Sequence, residues 1–249
     1  MCISATASLN AFLFNLFSAI SLVYFGNEEL KSLNLVVALF SVFTSFMQLV
    51  DLGIWLDLGC KKGFNKTASI IGPIINYLQP IMPFIIAFLV LNYTKDGIDY
   101  RKEKLLPLEK SSKLYQMFSI TSKKLNLVKI INIVAFILIV LALSKYFVKN
   151  NSNLCCKLKD GYVSWNWLQH SGFEISLLAV IYMTITFMNL ILIDPISKYM
   201  KIVIVLYILL LIVSTIISRK YKGELWCLVS NSLPLILLVI QKLFKKQLN

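Results

Sequence analysis

The stretch Thr44–Pro83, TSFMQLVDLGIWLDLGCKKGFNKTASIIGPIINYLQPIMP, decides the fold. Two apolar runs flank a short polar loop, and each run carries polar residues at helical spacing. Thr44, Gln48, Asp51 and Trp55 are separated by 4, 3 and 4 positions, so they share one face of a helix. Gly72, Asn76, Gln79 and Pro83 repeat that interval on the second run. A bilayer penalises polar groups that face lipid, so both faces are expected to turn inward, toward protein or trapped water.

The rest of the chain agrees with a hydrocarbon solvent. Of its 249 residues 58% are apolar and only 15% charged, against norms of roughly 45–50% and a quarter for soluble domains. The expectation is an all-α polytopic membrane protein, a single seven-transmembrane-helix bundle. Its spans, each near the ~20 residues a bilayer needs, are placed at 9–25, 34–56, 69–93, 127–148, 174–193, 200–218 and 226–244. The last is interrupted by Asn231, Ser232 and Pro234, which keeps six spans as the rival count. No basic residue precedes the first apolar run, so a first span fits better there than a cleavable signal peptide.

Charge predicts orientation. With seven spans, Lys and Arg number 15 on the side of loop 94–126 and the C-terminus, and 10 on the N-terminal side. This bias places the N-terminus outside or in the lumen and the C-terminus in the cytoplasm. All five cysteines and all four tryptophans fall on or beside the N-terminal side. So do the sequons at Asn65 and Asn150, the two candidate glycosylation sites. A secretory-pathway membrane suits that arrangement. The net charge of +13 lies in loops rather than on a module interleaved with aromatic residues, so no nucleic acid is expected as a partner. The expected partners are the bilayer itself and anionic headgroups. The latter would lie under the basic inner loop 94–126, where Pro107–Lys124 is partly amphipathic.

Candidate chemistry is sparse. Asp51 is either an intramembrane acid with a proton or cation role or an interfacial carboxylate beside Asp57. Pro80 and Pro83 bend the third span near Asn76, and carbonyls freed beside Asn76 and Gln79 suit an ion or polar solute. The same amides serve equally to bond neighbouring helices. Tyr182, Thr186 and Asn189 form a third polar stripe. Cys60 is expected to pair with Cys155 or Cys156 across the loops 57–68 and 149–173. Cys155, Cys156 and His170 match no standard zinc spacing, and no metal or other cofactor is expected. The chain lacks a phosphate-binding loop, HExxH and GxSxG, and it holds one histidine, so it is not expected to be an enzyme.

Met47-Gln48, Trp55, Cys60, Asn65, Thr67 and Gln79-Pro80 together resemble the helix 2–loop–helix 3 signature of an uncharacterised seven-transmembrane family found in large DNA viruses and protists. That resemblance covers about 40 residues and implies a multi-pass membrane protein without an established activity, with a virus-associated membrane as the alternative to the secretory pathway. The polar faces, rather than the resemblance, give the first functional expectation, a small-solute or ion transporter or channel. Its site would lie between the second, third and fifth helices, with Gln48, Asp51, Asn76, Gln79 and Asn189. The alternative is a non-catalytic, receptor-like or scaffold protein that binds partners or anionic lipid through its loops.

Overall fold

The computed structural model describes residues 4–94, 122–149, 154–159, 162–165, 185–186, 189 and 222–243, with side chains in the last two helices from 129 and 231 onward. Of these residues 84% are helical. The elements are α1 (Ala5–Phe25), α2 (Lys31–Leu56), α3 (Phe64–Leu78), α4 (Met82–Tyr93), α5 (Ser122–Lys149), the strands β1 (Lys157–Lys159) and β2 (Tyr162–Ser164), and α6 (Lys222–Leu243). Among the described residues three helices are long and apolar enough to cross a membrane: α1, α2 with the 3-10 turn before it, and the Lys129–Lys149 part of α5. The pair α3–α4 passes the same test jointly, with a 69° bend at its break. The expected spans 174–193 and 200–218, and the amphipathic reading of Pro107–Lys124, lie outside the described residues except for Ile185, Thr186, Asn189 and the first turn of α5.

Small residues bring α1 and α2 together. Ser18 and Ala19 on α1 and Ala38, Ser41 and Ser45 on α2 are all buried, as close helix approach in lipid requires. Ser4 caps α1 by accepting from Ala7 N at 3.1 Å. Gly26 ends it, where a Cβ would collide with Leu22 O and Asn34 Nδ2. Gln241 of α6 then ties down the turn. Its Oε1 accepts from Asn27 N at 2.9 Å and its Nε2 donates to Asn34 Oδ1 at 2.7 Å, while Asn34 Nδ2 donates to Asn27 O at 3.2 Å. An apolar cluster of Leu22, Val36, Phe40, Ile86, Val90, Leu233 and Leu237 fills this end of the bundle.

The third apolar run is not the single bent helix expected over 69–93. Its helix starts earlier, at Phe64, and stops at Leu78; α4 then restarts at Met82 with Pro83 in its first turn, where no N–H donor is needed. The break therefore falls at Gln79–Ile81, one turn after Asn76. Pro73 sits inside α3 and cannot donate to Ser69 O. Tyr146 of α5 supplies the missing donor, its hydroxyl bonding Ser69 O at 3.3 Å. The last helix runs through Pro234 without interruption. On α5 the residues Ile130, Ile133, Phe136, Ile137, Leu138 and Leu141 are exposed to at least half their area, a face that suits lipid rather than water.

Candidate functional site: the Cys60 end and the α3–α4 break

The turn between α2 and α3 is built around Asp57. Its Oδ1 accepts from Lys61 N at 2.8 Å and Lys62 N at 3.1 Å, and its Oδ2 from Asn65 N at 3.4 Å. The carboxylate thereby satisfies two donors of the turn and one orphan donor of α3, Asn65 N, and meets the positive end of the helix dipole. Burial pushes the Asp57 carboxyl up, but the backbone N–H groups of Lys62, Lys61, Asn65 and Gly63 outweigh it and hold the group below its ordinary value. Gly63 precedes α3 at φ 87°, and Cys60 adopts φ 54°, a left-handed conformation rare for a residue with a side chain.

A depressed folded-state value has a defined sign. The stabilisation from Asp57 is complete above the unfolded carboxylate pKa, about 3.9. It is lost as pH falls through the lower folded value. Protection of the Lys61 and Lys62 amides, taken relative to their intrinsic exchange at each pH, should fall only below about pH 4, and in Asp57→Ala it should be low at every pH. Protection in the native protein that stays constant down to full protonation would contradict this assignment.

Over this turn sits the β1–β2 hairpin, paired Lys157 to Ser164, Leu158 to Val163 and Lys159 to Tyr162. Cys60 and Cys155 form a disulfide across a separation of 95 residues. The adjacent Cys156 is a buried thiol outside the disulfide, and its backbone is gripped by Asn65. Asn65 Nδ2 donates to Cys156 O at 2.9 Å, and Cys156 N donates to Asn65 Oδ1 at 3.0 Å. Ser69 Oγ also accepts from Cys156 N at 3.3 Å and lies 3.2 Å from Asn65 Oδ1 and 3.3 Å from Cys156 Sγ. Glycosylation at Asn65 does not fit this arrangement. The nitrogen that would carry the glycan is the donor to Cys156 O, and the residue is wholly buried. Asn150 lies outside the described residues.

Just beyond β2, Trp165 Nε1 donates to Asp51 Oδ1 at 2.8 Å, and Asp51 is wholly buried. The hairpin thus closes over the carboxylate, and Trp165 is its hydrogen-bond donor rather than a belt residue alone. Met47, Val50 and Ile54 of α2, Ala68 of α3, Tyr146 of α5 and Val163 of β2 pack together beneath it. Gly53 and Ala68 allow α2 and α3 to approach, since a Cβ at Gly53 would stand 3.2 Å from that of Ala68.

At the α3–α4 break, Asn189 and Asn132 of α5 pair reciprocally. Asn132 Nδ2 donates to Asn189 Oδ1 at 3.0 Å, and Asn189 Nδ2 donates to Asn132 Oδ1 at 2.9 Å. Asn189 Nδ2 also donates to Pro80 O at 2.9 Å. A carbonyl at the break therefore has a side-chain amide as its partner.

The expected five-residue site does not join through these bonds. Asp51 belongs with Trp165, while Asn189 belongs with Asn132 and Pro80. Gln48 and Gln79 are buried at 2% and 4% exposure, and Asn76 is only partly buried. Asn132 and Trp165 are the partners that sequence reasoning missed. Asn132 carries a faint signal, a lone amide in an apolar run. Trp165 carries none toward Asp51, but Asp160-Gly161 between KLK and YVS is the dipeptide of a tight hairpin. Among the described residues no group of His, Cys, Asp and Glu could hold a metal ion. Compared with known proteins, the chain matches no family model, no curated protein and no solved structure.

Proposed function

We propose that this chain is a non-catalytic multi-pass membrane component, receptor-like or scaffold in kind. Its helices would be held by side-chain amides, and its disulfide-tied end would be the face that meets partners. In this reading the runs near 174–193 and 200–218 complete a seven-helix bundle, and the Cys60–Cys155 end faces an oxidising lumen or exterior. The observation that carries it is how the buried amides are used. Asn132 and Asn189 bond each other and Pro80 O, as helix-fastening groups do.

The transport reading has its own support in the 69° bend of α3–α4, the kind of interruption that lines solute sites in transporters. The family resemblance of the Met47–Pro80 stretch fits either. Reconstitution into liposomes separates them. No flux of protons, sodium or potassium above protein-free liposomes is expected. Flux that disappears in Gln79→Leu would replace the scaffold reading with transport. A thermal double-mutant cycle on Asn132→Leu and Asn189→Leu in lipid nanodiscs supplies the positive test. Each single change should cost about 1–2 kcal/mol, and the pair less than the sum. Strict additivity would deny the amide pair its fastening role.

A further inference from the structure

Buried polar atoms without a hydrogen-bond partner are rare in folded proteins, and each calls for a cause. Three of them belong to residues that meet at the junction of α1, α2 and α6: Asn15 Oδ1, Ser41 Oγ and Asn231 Nδ2. Their residues are no more than 1% exposed.

The junction is held by the opposite ends of the same side chains. Asn15 Nδ2 donates to Ser41 O at 2.7 Å and to Asn231 Oδ1 at 3.2 Å, which uses both of its protons. Exchanging N and O on Asn15 would set a carbonyl oxygen against Ser41 O, so the carboxamide orientation is decided by chemistry. Asn15 Oδ1 is then left without a donor. Asn231 accepts through Oδ1, and its Nδ2 is left without an acceptor. Ser41 O is already occupied by Asn15 Nδ2 and by Thr44 Oγ1 at 2.8 Å, and the Ser41 hydroxyl stays unused.

The unused atoms select their occupant. A cation would meet the protons of Asn231 Nδ2, and an anion would meet the lone pairs of Asn15 Oδ1. A molecule that accepts from Asn231 Nδ2 while donating to Asn15 Oδ1 and Ser41 Oγ satisfies all three, and water is the smallest that does. Three hydrogen bonds is the usual complement of an internal water. We infer that the α1–α2–α6 junction holds one structural water that bridges Asn15, Ser41 and Asn231. This water fastens α6 to the α1–α2 pair whether the protein transports or only scaffolds.

Two measurements on the full chain in lipid nanodiscs decide it. An experimental map fine enough to show ordered solvent should contain a density peak within hydrogen-bond reach of all three atoms. An empty junction overturns the inference, as does a rearranged one in which Ser41 Oγ bonds Asn15 Oδ1 directly. Ser41→Ala is the second test. With a bridging water it removes a partner and lowers the thermal midpoint. If the hydroxyl were buried and unpartnered, the same change would relieve it, and a raised midpoint would reject the water.

Discussion

Breaking the Cys60–Cys155 disulfide should make Asp51 reactive. In the oxidised protein a hydrophobic carbodiimide is expected to modify Asp51 slowly, because the carboxyl is wholly buried and engaged by Trp165 Nε1 at 2.8 Å. The hairpin that carries Trp165 is fixed at Cys155 by the disulfide and at Cys156 by Asn65. Removing the covalent tie in Cys60→Ser leaves the hairpin dependent on hydrogen bonds alone. Disulfides typically contribute about 2–4 kcal/mol through the loop they close. On the membrane reading proposed above the figure belongs at the lower end, because helices inside that loop would stay inserted in lipid without it.

The Trp165–Asp51 bond makes the same prediction from the other side. Losing a buried hydrogen bond costs about 1–3 kcal/mol. Trp165→Phe should therefore raise the rate of Asp51 modification by roughly ten- to a hundredfold with the disulfide intact. Mass spectrometry of the peptide containing Asp51 reads both experiments. Equal labelling before and after reduction, with Trp165→Phe also unchanged, would show that the hairpin does not guard the carboxylate.

Helix faces were legible in the sequence, and partners were not. The 4, 3, 4 spacing of Thr44, Gln48, Asp51 and Trp55 puts Gln48 and Asp51 inside the molecule, where both are buried. Spacing encodes an angle around a helix axis and nothing about what stands opposite. Trp165 reaches Asp51 across 114 residues, and Asn189 reaches Pro80 across 109. Such pairings are set by how helices pack, which no local pattern records. The break in the third apolar run was legible because Pro80 and Pro83 act on their own backbone. It falls a turn after Asn76 because Pro83, in the first turn of α4, opposes the carbonyl of Gln79 four residues earlier. The start of α3 at Phe64 was missed because it lies in a lysine-bearing segment that reads as loop. Asp57 and Gly63 build that start, yet neither looks different from a residue of an ordinary polar turn. Asn65 was misread for a related reason: a sequon is a three-residue signal, and burial against Cys156 is a tertiary fact.

Asn65 is also where a single substitution should do the most damage. Asn65→Leu strips the partner from Cys156 O, a buried carbonyl that would then face an apolar side chain. Cys156 N keeps Ser69 Oγ at 3.3 Å, so one of the two lost bonds is partly replaced. An unsatisfied buried group costs about 1–3 kcal/mol, and two groups, one half-rescued, bring the loss to about 2–4 kcal/mol. Asn65→Asp is the sharper variant because it keeps the shape. Its oxygens still accept from Cys156 N, but one of them now opposes Cys156 O where a donor stood, so the isosteric change should destabilise at least as much as Leu. Ser69→Ala, which leaves both Asn65 bonds in place, should cost about 1 kcal/mol. Thermal unfolding of the oxidised protein in nanodiscs ranks the three. Expression in a glycosylating host adds an independent check: Asn65→Gln should cause no shift on glycosidase treatment relative to the native chain. A glycan found at Asn65, or a mild Asn65→Asp beside a severe Ser69→Ala, would mean that Cys156 is held by something other than this amide.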